Sequence, residues 1–203
     1  MKNSRDHLEP KKPAAIILAA GKGSRFGGDK LMARLPNGEI IIDLVMKKVT
    51  QVFDDYCVVV RTDDISLQQH LDNNQWRWII AKRADEGMSQ SLICGIETFP
   101  MATGWFFVLA DMPYLLSSTF EKLRKSFIDN NHRARIIIPC HKGKTGNPIG
   151  LSEHFKLNLE VLKGDVGARS IVEQYRDARI LVNVEDAGIF HDVDHPNDMI
   201  DPQ

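Results

Sequence analysis

Beyond residue 13 the chain alternates between two hydrophobic periods. Six short apolar runs rich in β-branched or aromatic residues predict strands: AAIILAA (14–20), YCVVVRT (56–62), WRWIIAK (76–82), GWFFVLA (104–110), RIIIPC (135–140) and RILVNV (179–184). Between them, 41–53, 65–73, 89–99, 117–130, 152–162 and 167–176 carry apolar residues every three to four positions, the spacing of an amphipathic helix. Ser117 and Ser152 stand where a hydroxyl would cap the helices they open. Strands alternating with helices predict an α/β fold, a single three-layer Rossmann-like domain. Its sheet is expected to be mostly parallel, because unbroken apolar runs suit strands covered on both faces. Trp76 and Trp78, on either side of Arg77, read as packing residues rather than stacking platforms.

Composition narrows the functional classes. With 203 residues, 43% of them hydrophobic, the chain can bury a full core within one domain. Its net charge of −1 gives no global field to recruit nucleic acid or a membrane surface, so charge chemistry has to be local. Cys57, Cys94 and Cys140 lie far apart in apolar stretches without ligand spacing, and read as buried reduced thiols of a cytoplasmic protein. No apolar run approaches the ~20 residues of a membrane helix. Residues 1–13, MKNSRDHLEPKKP, lack an apolar signal core and are expected to form a flexible leader, with the domain spanning 14–203.

In α/β sheets ligands sit beyond the carboxyl ends of the strands. The first such position is LAAGKGSRFGGDK (18–30), where four glycines, two lysines and an arginine share thirteen places. A Walker A loop fails here, since Asp29 follows Gly28 where lysine is required, and a GxGxxG fingerprint fails at Phe26. What remains is a strand leading into small residues whose backbone N–H groups can turn toward an anion, with Arg25 and Lys30 adding cationic reach. That is a triphosphate cradle of another design, against the alternative of a solvated turn.

Other strand ends add chemistry. VLADMPYL (108–115) delivers Asp111 at the sheet edge, where it suits either Mg²⁺ or the cap of a turn. In HDVDHPNDM (191–199), an extended backbone would put Asp192 and Asp194 on one face and His191 and His195 on the other; with no cysteine nearby and without the usual ligand spacing, the histidines read as turn residues rather than zinc ligands. Ser89 and Ser91 begin a helix and can read a nucleobase edge or cap the helix. CHKGKTGNP (140–148) offers His141, Lys142 and Lys144 to an anionic acceptor, and KGDVGAR (163–169) offers Asp165 and Arg169. Solvated surface and helix capping are the plain alternatives for these two stretches.

Loop, strand-end aspartate and late aspartate pair, in this order, resemble the MobA-like nucleotidyltransferase family, and within it the molybdenum cofactor cytidylyltransferase (MocA-like) branch. GMSQSLICGI (87–96), GNPIGL (146–151), LKGDVGAR (162–169) and DVDHPNDM (192–199) are similar to the family blocks GMSxSLxxGI, GHPxxF, LxGDxGAR and DIDTPEDL. Asn147 departs from the usual histidine. The resemblance implies a nucleotide-diphospho-sugar transferase type of fold. It also implies Mg²⁺-dependent transfer of CMP from CTP to molybdopterin phosphate, giving molybdopterin cytosine dinucleotide and pyrophosphate. Ala19, Ala20, Gly21, Gly23, Ser24, Arg25, Lys30, Ser89 and Ser91 would bind nucleotide. Lys30, Arg25 and Asp111 would serve catalysis, and Asp111 and Asp194 would hold Mg²⁺, with Asp192 in reserve. Lys142, Asn147, Asp165 and Arg169 would meet the acceptor. Guanylyltransferase relatives usually read LAGG where this chain reads LAAG, which makes Ala20 the main local mark of a cytidylyl enzyme. A sugar, polyol or isoprenoid phosphate as acceptor, or a non-catalytic cofactor chaperone, are the alternatives. A molybdoenzyme or its maturation chaperone is the expected downstream partner.

Overall fold

The computed structural model describes residues 12–21, 23, 26–130 and 134–200. Strand β1 (Ala14–Leu18) alternates its side chains between two apolar layers, Ala15 and Ile17 on one face and Ala14 and Ile16 on the other. It pairs in parallel with β2 (Tyr56–Val60) and β4 (Gly104–Leu109), and β2 pairs in parallel with β3 (Trp78–Ile80). This half of the sheet matches the predicted strands in position and direction.

The other half contains two strands that the periodicity does not announce. β5 (Ile136–His141) carries β8 (Arg179–Asn183) in parallel along one edge. Its other edge is shared by two short antiparallel strands, β6 (Lys144–Thr145) and β7 (Ile149–Ser152). β7 also pairs with β4, so it is the antiparallel link that joins the two halves into one eight-stranded, mostly parallel sheet. Gly150 makes the link possible. A Cβ there would run into the ring of Phe106, the residue opposite it.

Helices cover both faces. α1 (Ile41–Val52), α2 (Ile65–Asn73) and α4 (Ser117–Asp129) bury Ile42, Val45, Leu67, Phe120 and Phe127 over one face. There Phe106 meets Phe53 at 5.2 Å and Phe127 at 5.4 Å between ring centroids. Each such ring buried from water contributes about 1.5–3 kcal/mol. α3 (Met88–Thr98), α5 (Lys156–Glu160) and α6 (Arg169–Gln174) cover the other face through Leu92, Ile96, Leu159, Ile171 and Val172. Trp76 and Trp78 pack at the margin of the first layer, and the Trp78 indole donates to Asp72 at 2.7 Å.

Three local expectations change. The helix expected over 152–162 is shorter: β7 runs to Ser152, a 3₁₀ turn spans Glu153–Phe155, and α5 begins at Lys156. Ser152 caps no helix; its hydroxyl accepts the Arg135 N–H at 3.1 Å. Ser117 is the first helical residue of α4, not its cap. The cap comes from far away, because buried Asp186 accepts the Leu116 N–H at 3.0 Å and the Thr119 hydroxyl at 2.6 Å. Cys57 and Cys140 are buried, Cys94 is half-buried, and all three are free thiols; burial pushes the Cys57 thiol up to about 12. Most of the expected leader lies outside the described residues; at its end the Lys12 carbonyl accepts the Thr103 N–H and the Lys12 ammonium meets Asp54 at 2.9 Å. Among the described residues no helix is long and apolar enough to cross a membrane.

Candidate active site

β1 and β4 end in register, Leu18 opposite Leu109, and the ladder persists one residue further through the Ala110 N–H to the Leu18 carbonyl. Ala20, Gly21 and Asp111 therefore leave the sheet side by side. The glycine loop turns back at Gly23, where φ is +55°, a conformation that suits glycine. A 3₁₀ turn over Lys30–Met32 then anchors Leu31 and Met32 on the core. This turn aims Lys30 at the strand end. Its Nζ lies 2.6 Å from Asp111 Oδ2 and 3.1 Å from Asp194 Oδ1.

The two carboxylates come from segments more than eighty residues apart, yet their backbones touch: the Val193 N–H donates to the Asp111 carbonyl at 2.9 Å. Val193 is fully buried among Leu35, Ile41 and Leu44 and so fixes where Asp194 begins. Burial works against the Lys30 charge, but hydrogen bonds and charges from Asp111 and Asp194 together hold its pKa above the ordinary lysine value. Burial pushes the Asp111 carboxyl above the usual carboxylate range, against the pull of Lys30 and with help from the Asp192 charge. Two hard oxygen donors converging on one cation fit a divalent ion that binds through one or two carboxylates and keeps its waters. In this arrangement the ammonium neutralises them.

Around this ion pair the cleft has two compartments. The first is lined by Ala19, Gly21, Gly23, Lys30, Asp64 and Asp111. The second, about 420 Å³, is lined by Ala20, Asp85, Gly87, Met88, Ser91 and Asp165. Leu18, Gly21 and Asp111 face both, which places the carboxylate at their junction. The first can take a small anion chain against backbone amides, and the second is large enough for a ring system.

The expected site residues are distributed unevenly over this cleft. Ser24 and Arg25 lie outside the described residues. Ser91 lines the second compartment, whereas Ser89 is fully buried, its hydroxyl without a hydrogen-bond partner and its N–H donated to the Gly164 carbonyl at 3.1 Å. That contact welds two stretches assigned to opposite substrates. Gly87 approaches Gly164 so closely that a Cβ would collide with its carbonyl, and Asp165 consequently faces the same compartment as Ser91. Lys142, at the β5–β6 turn, and Arg169, opening α6, are exposed; Asn147 is half-buried and donates its N–H to the Ile189 carbonyl at 3.0 Å. None of these three lines either compartment. Asp192 and His195 are exposed, and His191 packs edge-on against Tyr114 at 5.3 Å. Among the described residues no three His, Cys, Asp or Glu side chains gather as a metal-binding group.

Two acidic residues of the site escape the sequence motifs, and a third lies within one without a role assigned to it. Asp64 caps α2 through the Leu67 N–H and lines the first compartment. Asp85 follows β3, where the strand-end rule would have found it. Asp198 accepts two backbone N–H groups beside Asp194, a role that spacing alone does not disclose.

The purine catabolism protein PucB of Bacillus subtilis (strain 168) is 28% identical over 198 residues, covering 90% of this chain and 92% of PucB. A probable molybdenum cofactor guanylyltransferase of Natranaerobius thermophilus is 28% identical over 137 residues, covering 64% of this chain and 61% of that protein. The fold is shared with Rv0371c from Mycobacterium tuberculosis H37Rv, with a TM-score of 0.79 and 21% identity over 94% of this chain and 96% of that one. A complex of the same protein with manganese gives 0.73 at 19% identity, over 93% and 96%. The MobA-like NTP transferase domain matches residues 15–179. That span runs from the second residue of β1 to the first of β8 and takes in the glycine loop, Lys30 and Asp111, so the chain belongs to the MobA-like nucleotidyltransferase family.

Proposed function

We propose that this nucleotidyltransferase moves CMP from CTP to the phosphate of molybdopterin, releasing pyrophosphate. The observation that carries the reading is the Lys30 ammonium clamped between Asp111 and Asp194 at the junction of an amide-lined and a ring-sized compartment. A terminal oxygen of the acceptor phosphate attacks the α-phosphorus of CTP. The bond from that phosphorus to the β-phosphate oxygen breaks, and no protein nucleophile is required. Gly21 and Gly23 hold the β- and γ-phosphates through backbone contacts, joined by Ser24 and Arg25. Lys30, on a flexible stem, transfers from its carboxylate partners to the α-phosphate and offsets charge as it develops. Asp111 and Asp194 are the residues that would hold Mg²⁺, which when bound would neutralise phosphate charge and help align the two reactants.

The cytosine ring occupies the second compartment, beside Ala20 and Ser91. Asp165 stands close enough to that compartment to contribute to base or acceptor binding. For Lys142, Asn147 and Arg169 a role at the acceptor rests on sequence resemblance. GTP is the second reading, favoured by the relative named as a guanylyltransferase; the methyl group of Ala20 in the compartment wall speaks for the smaller pyrimidine. Pyrophosphate release decides between them. Release with CTP, Mg²⁺ and molybdopterin, and not without the acceptor, is expected. Equal or faster release with GTP, or release only with a sugar or polyol phosphate as acceptor, would refute the assignment.

A further inference from the structure

Asp194 has no strand to hold it. Residues 191–195 join no ladder and lie between two 3₁₀ turns, Ala187–Phe190 and Pro196–Asp198. One carboxylate oxygen of Asp198 accepts the N–H of Asp194 itself at 2.9 Å and that of His195 at 2.6 Å, while the Asp198 N–H closes the turn onto the His195 carbonyl at 3.0 Å. Beyond it, the Ile200 N–H donates to the Tyr114 hydroxyl at 2.7 Å, so the chain is caught again just after the turn. Asp194 is thus held by a buried anchor one residue before it, Val193, and by Asp198 after it.

We propose that Asp198 is a positioning residue that keeps the Asp194 carboxylate turned toward the cleft, an inference that rests on reading Asp194 as a metal ligand. The reason is geometric. Asp194 lies in no ladder, so the direction of its side chain follows from the peptide planes on either side of it; by accepting the N–H groups of Asp194 and His195, Asp198 fixes those planes and with them the reach of Asp194 Oδ1 to Lys30.

The test uses the full chain and four proteins: wild type, Asp194→Asn, Asp198→Ala and Asp198→Asn. Free Mn²⁺ is measured by electron paramagnetic resonance in the presence of CTP, with CTP binding in the absence of metal and thermal unfolding followed alongside. Asp198→Ala is expected to weaken Mn²⁺ binding about tenfold, as removal of a ligand's hydrogen-bonding partner does, while metal-free CTP binding is unchanged. Asp198→Asn is expected to bind Mn²⁺ like wild type, because its amide oxygen still accepts both N–H groups. Unchanged Mn²⁺ affinity in Asp198→Ala, whatever its melting point, overturns the proposal. A loss in Asp198→Asn overturns it too, since Asp198 would then act by its charge; this variant also decides the matter if Asp198→Ala does not fold. Undiminished Mn²⁺ binding in Asp194→Asn overturns the ligand reading itself, a failure distinct from the other two.

Discussion

Asp111 follows β4, a covered strand flanked by β1 and β7, whereas Asp194 belongs to a segment outside the sheet, anchored by buried Val193 and flanked by 3₁₀ turns. Asp111 is also fixed from beyond the strand, where the Met112 N–H meets the Leu109 carbonyl and Lys48 donates to the Pro113 carbonyl at 2.6 Å. One side of the ion site is therefore as rigid as the sheet, and the other depends on a few contacts that could shift with substrate. Substitution at the rigid side should alter chemistry alone. At the adjustable side it should alter position as well.

The sharpest test of that contrast is Asp111→Asn. The amide keeps the shape but loses the charge, so turnover is expected to fall roughly a thousandfold. The melting temperature should stay within a few degrees, since burial already disfavours the charged carboxylate. Asp194→Asn, at the more exposed carboxylate, should lose less, on the order of a hundredfold. Equal losses in kcat would remove the distinction between the two supports, and near-normal activity in Asp111→Asn would remove the site.

Lys30 bridges the two regions, and its replacement should be felt mostly in the transition state. Lys30→Ala is expected to lower kcat about a hundredfold and change KM for CTP far less. A second measurement sharpens this. With the ammonium gone, Asp111 and Asp194 have lost a cation between them, so Mn²⁺ without nucleotide should bind more tightly than to wild type. A rise in KM alone would make Lys30 a ground-state binding residue.

Legibility follows the same divide. The parallel half was readable because β1, β2 and β4 are unbroken apolar runs that end at chemistry, so Gly21 and Asp111 were read from strand ends and Lys30 from the glycine loop that follows the first. β7 was missed because four residues containing Gly150, after Pro148, carry too little pattern to compete with the helix-like spacing that follows. The cap of α4 was missed because Asp186 reaches it across nearly seventy residues. That Asp165 and Ser91 line one compartment was not legible, because sequence cannot show that Gly164 rests on Gly87. Asp194 and Asp198 stand in the same motif, but the bonds that Asp198 accepts from backbone N–H groups were not legible there.

Gly87 and Gly21 offer the same contrast at the scale of one hydrogen atom. Nothing lies within 4 Å of where a Cβ on Gly21 would stand, while at Gly87, with φ at +114°, a Cβ meets the backbone of Gly164 and Asp165. Gly87→Ala must therefore push the 163–168 loop away from α3. We expect KM for CTP to rise about tenfold with a smaller change in kcat, because the second compartment loses a wall and the ion pair does not move. Steady-state kinetics over a range of CTP concentrations provides the check, and an unchanged KM would separate that loop from the nucleotide.

The smallest expected effect comes from Ala20, which borders the second compartment where the sheet hands over to the glycine loop. Its methyl group narrows the space available to a base, and one such group is typically worth about 1–3 kcal/mol of discrimination. A purine placed against it has less room to meet Ser91, which lines the same compartment, whereas a pyrimidine can keep both contacts. Ala20→Gly should then improve kcat/KM for GTP and leave that for CTP nearly constant, narrowing the preference by roughly tenfold without reversing it. Both nucleotides have to be measured in both proteins with the same acceptor. If the ratio does not move, Ala20 does not set the choice of base; if the wild type already prefers GTP, the cytidylyl reading falls while the family and the ion site remain.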